Sequence, residues 1–129
     1  MARPLRFLGR FGAGAQVYFP AALALPTEID PPGERLLSEH LRVREIRVVL
    51  VPRDCRDGFG TAFWARPEAY LYPRIQGGMS WLAMLSPGDR ERGTERLRRD
   101  LASGEWDRLH GHLRAQTAFD GGYRIAIAY

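Results

Sequence analysis

At 129 residues the chain has room for one compact domain and not for two ordinary ones. Its 45% hydrophobic and 26% charged residues exclude wholesale disorder and low-complexity composition, and no apolar run approaches the roughly 20 residues that a membrane-spanning helix needs. The net charge of +4 rests on 19 basic residues, every one an arginine, and the lone Cys55 excludes an intramolecular disulfide and any zinc site built on paired cysteines.

Arginine without a single lysine or asparagine, beside 14 glycines and 9 prolines, reads as GC-rich coding, so part of the basicity reflects codon usage. A single free thiol suits a reducing compartment, and the cytoplasm is the expected location. Met1 to Arg10 and the Ala22-Leu23-Ala24 triplet loosely imitate a secretory leader, but Gln16, Tyr18 and Pro20 interrupt its apolar middle.

Residues 1–40 give the weakest structural signal. Leu5 to Phe11 could be a short strand, Gly9, Gly12 and Gly14 make a bend, and Pro20, Pro26, Pro31 and Pro32 break regular structure. A short helix is predicted near Leu36 to His40. The segment reads as an irregular approach to a main unit at residues 41–129.

From Val43 the pattern sharpens. Ile46, Val48 and Leu50 alternate with Glu45, Arg47, Val49 and Val51, which predicts a strand over 43–51 stopped by Pro52. Gly58 to Ala65 carries Phe59, Phe63 and Trp64 at helical spacing, and Pro67 and Pro73 are each placed to open a helical turn.

Ser86-Pro87-Gly88-Asp89 is a helix start: a hydroxyl cap, a proline at the first position and an acid at the positive end of the helix dipole. That helix should run to about Ser103, bury Leu97 and Leu101, and stop at Gly104. Trp106, Leu109, His110 and Leu113 at i, i+3, i+4 and i+7 predict a further amphipathic helix. A second strand follows Gly121-Gly122 over 123–129, with Tyr123, Ile125, Ile127 and Tyr129 on one face and small residues on the other.

Several motifs have bland explanations. The order G-x-x-G-x-G at 9, 12 and 14 is not a dinucleotide fingerprint, and His110 and His112 stand two apart, the wrong spacing for one helical face. Arginines 90, 92, 96, 98 and 99 alternate with Asp89, Glu91, Glu95 and Asp100, as on a solvated helix face, so no specific nucleic-acid partner is expected. The richest stretch is Pro52 to Tyr72, where Asp54, Cys55, Asp57, Phe59, Phe63, Trp64 and Tyr70 follow a strand end. Polar groups on such a loop, roofed by aromatic rings, suit a small-molecule pocket, and the same rings could equally fill a core.

The run Val51-Pro52-Arg53-Asp54-Cys55-Arg56-Asp57-Gly58-Phe59, then Phe63-Trp64-Ala65-Arg66-Pro67-Glu68-Ala69-Tyr70-Leu71, resembles the carboxy-terminal half of class I S-adenosylmethionine-dependent methyltransferases of bacterial type. The resemblance continues through Arg98-Arg99-Asp100-Leu101-Ala102-Ser103-Gly104-Glu105-Trp106 to Gly122-Tyr123-Arg124-Ile125, covering roughly residues 40 to 129.

The resemblance implies an α/β, partial Rossmann-like fold. Its strands at 43–51 and 123–129 would be the antiparallel edge pair of a larger sheet, with a helical insertion between them covering the substrate. It implies S-adenosylmethionine as cofactor and a small-molecule methyl acceptor. Asp54 or Asp57 would be catalytic, as base or anchor, and Cys55, Phe59, Trp64 and Tyr70 would contact substrate.

The family's glycine-rich cofactor loop and ribose-binding acid have no counterpart in this sequence. Arg53 stands where the pattern has His, and Tyr72 where it has Asp. The expectation is therefore a truncated methyltransferase, inactive as this chain alone and short by on the order of a hundred residues. The alternative is a non-catalytic binding or assembly module that pairs through an exposed sheet edge, with a homo-oligomer or a separate chain carrying the missing half as partner.

Overall fold

The computed structural model describes residues 14–25 and 34–129, and the predicted Leu5 to Phe11 strand and the bend at Gly9 and Gly12 lie outside them. The described chain begins with two 3-10 turns, Gly14–Tyr18 and Pro20–Ala24. Helix α1 (Glu34–His40), strand β1 (Val43–Val48) and strand β2 (Val51–Pro52) follow. After a long loop and a 3-10 turn at Pro67–Leu71 come α2 (Pro73–Gly77), α3 (Ser80–Ala83), α4 (Pro87–Ser103) and α5 (Glu105–His110). A last 3-10 turn, Gly111–Ala115, leads to β3 (Ala118–Phe119) and β4 (Arg124–Ala128).

The single strand expected over 43–51 divides in two. β1 pairs antiparallel with β4 as far as Val48 opposite Arg124, and β2 pairs with β3, Val51 opposite Phe119. Two residues, Val49 and Leu50, separate β1 from β2, whereas Asp120, Gly121, Gly122 and Tyr123 separate β3 from β4. The surplus on one side is a bulge, and a bulge breaks the ladder.

Three features build it. Gly122 has φ 90°, a left-handed conformation that costs glycine nothing. The Asp120 carboxylate accepts the Gly122 N–H at 2.9 Å and the Arg124 guanidinium at 2.8 and 3.1 Å. A Cβ on Gly121 would stand 2.8 Å from Thr61 Oγ1, so only glycine lets the bulge pack against the loop below.

The expected helix at Gly58 to Ala65 does not form. The backbone runs through successive turns instead, with the N–H groups of Ala62, Trp64 and Arg66 donating to the carbonyls of Phe59, Thr61 and Phe63. Gly58 and Gly60 favour this irregular path, because each would cost a helix interior about 1 kcal/mol relative to alanine.

Pro67 and Pro73 do open helical turns, and α4 follows its punctuation closely. Ser86 Oγ accepts the Asp89 N–H at 3.1 Å, Pro87 takes the first turn, and Gly104 ends the helix at φ 85°. Gly104 also precedes α5, so α4 and α5 turn on one residue. The helix expected through Leu113 stops at His110 and tightens into 3-10 geometry. As a result Trp106 and Leu113 are buried, while Leu109 faces solvent.

The core gathers around Tyr18, Phe19, Tyr70, Met79, Leu82, Leu97 and Trp106. The early segment joins it tightly: Phe19 stacks edge-on against Trp81, and the Tyr18 hydroxyl donates to Asp100 at 2.7 Å. No helix among the described residues is long and apolar enough to cross a membrane.

Candidate functional site

The loop from Arg53 to Gly60 leaves β2 just after Pro52, which stands opposite Ala118 in the short pair with β3. It is pinned at both ends. The Arg53 N–H donates to the Thr117 carbonyl and the Cys55 N–H to the Pro52 carbonyl, both at 3.1 Å. Farther on, the Asp57 carboxylate accepts the Gly58 N–H at 2.9 Å.

Arg66 holds the middle of this loop from beneath. Its Nη2 donates to the carbonyl oxygen of Cys55 and, at 3.4 Å, to that of Ala62, while its guanidinium lies 4.9 Å from the Phe63 ring centre. A planar fork stacked on an aromatic face loses less freedom per hydrogen bond than a lysine would, which suits it to fixing a loop.

An apolar cleft of about 420 Å³ opens between this loop and the bulge, walled by Leu50, Val51, Cys55, Phe59 and Tyr123, with Asp57 as its one charged group. Phe59 and Tyr123 meet edge to face, their centres 5.1 Å apart and their planes at 84°, and form an aromatic corner. Cys55 is half-buried and free of disulfide.

Three of the six expected site residues, Cys55, Asp57 and Phe59, come together here; the other three stand elsewhere. Asp54 is exposed and does not line the cleft. Trp64 is buried, donates its indole N–H to the Val51 carbonyl at 3.1 Å and stacks on Phe119 at 5.3 Å. Tyr70 is 1% exposed, its hydroxyl donates to the Gly60 carbonyl at 3.0 Å, and burial pushes its phenol well above the ordinary range. Trp64 and Tyr70 thus build the floor under the loop, and their rings are spent on the core.

Tyr123 and Arg66 were not singled out for the site from sequence. Tyr123 showed only as a large residue on the last strand, and the bulge that turns it onto Phe59 depends on Thr61, distant in sequence. Arg66 has no local signal at all.

No group of three or more histidine, cysteine or acidic residues among the described residues could hold a metal ion. The residues of the cleft do not fit S-adenosylmethionine either. That cofactor carries an ammonium, a carboxylate, ribose hydroxyls and an adenine edge, all needing polar partners. This cleft offers one carboxylate among apolar walls, and among the described residues no strand leads through a glycine-rich turn into an α-helix.

A solved structure from Anabaena variabilis ATCC 29413, described as a methyltransferase from an antibiotic biosynthesis pathway, matches with a TM-score of 0.76 and 33% identity. The chain shares the fold of part of that structure. The match covers 87% of this chain and 47% of that one, so the chain spans about half the length of the structure it resembles. No family model and no curated protein matches the sequence.

Proposed function

We propose that the chain serves methyl transfer from S-adenosylmethionine to a small-molecule acceptor and supplies the acceptor side of the reaction. The observation that carries this reading is the coincidence of a methyltransferase-like fold with an aromatic-cornered cleft that holds a single carboxylate. In the finer form of the reading, β1 and β4 are the antiparallel edge of a Rossmann-like sheet. The groups that bind the cofactor lie outside the described residues.

Methyl transfer asks a protein mainly for alignment, and for a proton acceptor when the nucleophile is an O–H or N–H. Phe59 and Tyr123 offer the aligning surface, and Asp57 offers the acceptor. Asp54, exposed and outside the cleft lining, is the weaker candidate.

The test is a chimera in which this chain replaces the matching half of the Anabaena protein. Calorimetry reports S-adenosylmethionine binding, and labelled methyl transfer is followed to phenols, amines and thiols. Asp57→Asn should lower transfer by roughly 100-fold with cofactor binding unchanged. A chimera that binds cofactor and transfers equally well with and without Asp57 would remove Asp57 from the reaction, and one that binds and transfers nothing counts against methyl transfer.

A second reading, an assembly module, is favoured by the two-stranded β1–β4 sheet. Val48 and Ile125 are each 54% exposed, and a two-stranded ribbon is marginal alone. It requires a stable oligomer, which sedimentation measures directly.

A further inference from the structure

The apolar cleft has a neighbour. On the other side of Asp57 and Phe59, which line both, lies a recess of about 320 Å³ bounded by Gly58, Arg74, Ile75 and Gly78. Each lies within the size range of small-molecule sites, and the two share Asp57 and Phe59. Their characters differ: the larger lobe is apolar with one acid, and the smaller counts both Arg74 and Asp57 among its lining residues.

Arg74 belongs with the arginines of the described residues that hold no carboxylate. Arg92, Arg98, Arg108, Arg114 and Arg124 each hold a carboxylate, whereas no carboxylate among the described residues lies within ion-pair distance of Arg74. Asp57 lines the same recess and makes no ion pair with Arg74, so two residues of opposite charge share the space without closing on each other. An arginine in that position recognises a planar anion by two parallel hydrogen bonds.

We infer that the molecule taken by this site has a flat apolar body and an ionised carboxylate, the body against Phe59 and Tyr123 in the larger lobe and the carboxylate on Arg74 in the smaller. A ligand crossing between lobes passes Asp57, so a hydroxyl or amine on its body meets the one proton acceptor of the cleft. The inference rests on the methyl-transfer reading only for the role of that molecule as acceptor. Arg74 thereby becomes the residue that sets specificity for an acidic acceptor.

The test is titration of the intact chain with 2-naphthoate and with the uncharged 2-naphthamide, followed by calorimetry. The carboxylate should bind about tenfold tighter than the amide. Arg74→Gln, an exposed substitution, should erase that preference while leaving amide affinity unchanged. Arg53→Gln, exposed and outside both lobes, should leave it intact. Equal affinities, a preference that survives Arg74→Gln, or no saturable binding of either probe overturns the inference. Carboxylate preference beside a chimera that binds cofactor and transfers nothing keeps the site and removes only methyl transfer; transfer without the preference removes only the acidic acceptor.

Discussion

The indole N–H of Trp64 donates to the carbonyl oxygen of Val51 at 3.1 Å, with both residues buried. This bond joins the floor of the loop to the strand from which the loop departs. Trp64 also stacks on Phe119, the residue opposite Val51 in the β2–β3 pair, so one side chain ties together the strand, its partner and the turns beneath the cleft.

Trp64→Phe keeps a ring and removes the indole's hydrogen bond to the Val51 carbonyl, which should cost about 0.5–1.5 kcal/mol. Trp64→Ala removes the stack as well and should cost about 3–5 kcal/mol. Urea denaturation measures both. If Trp64 lay in the binding site with no part in the core, both variants would unfold like the wild type and only ligand affinity would fall.

Gly93 lies where α4 meets the early segment, and a Cβ there would stand 2.4 Å from Phe19 Cδ1 and 2.6 Å from the Tyr18 carbonyl oxygen. In an open helix Gly93→Ala would stabilise by about 1 kcal/mol. Here it should destabilise by about 1–3 kcal/mol through overpacking. Hydrogen exchange should show the loss concentrated in residues 14–25, and a gain in stability would contradict the packing of that segment on α4.

Burial lowers the His110 pKa from its ordinary 6.5, and the neighbouring His112 charge acts in the same direction. The folded state therefore disfavours the charged imidazole. The stability tied to neutral His110 is fully present above the unfolded value and is lost as pH falls through the lower folded value. Comparing urea midpoints at pH 8 and pH 5 should show a decline that His110→Gln reduces; an unchanged decline would assign it to other groups.

The legible parts of the sequence were those whose cause is local. The cap at Ser86, the proline at 87 and the glycine at 104 act within one turn of themselves, and α4 begins and ends where they stand. The division of the strand at Val49 was hidden because its cause lies on the partner strand: the bulge at 120–123, set by Gly122 and by the fit of Gly121 against Thr61. The aromatic residues of the loop divide between core and cleft, and no local feature of the sequence sorts them. Trp64 and Tyr70 went to the core because Phe119, Val51 and Gly60 meet them there, whereas Phe59 reached the cleft because the bulge brings Tyr123 against it. Each of those contacts spans at least ten residues.

The most direct measurement is protein-observed NMR of the intact chain titrated with 2-naphthoate and, separately, with S-adenosylmethionine. If the cleft is an acceptor site, naphthoate should shift the resonances of Cys55, Phe59 and Tyr123 saturably while S-adenosylmethionine leaves those residues unmoved. Saturable shifts of the same residues by S-adenosylmethionine, or their indifference to naphthoate, would contradict it.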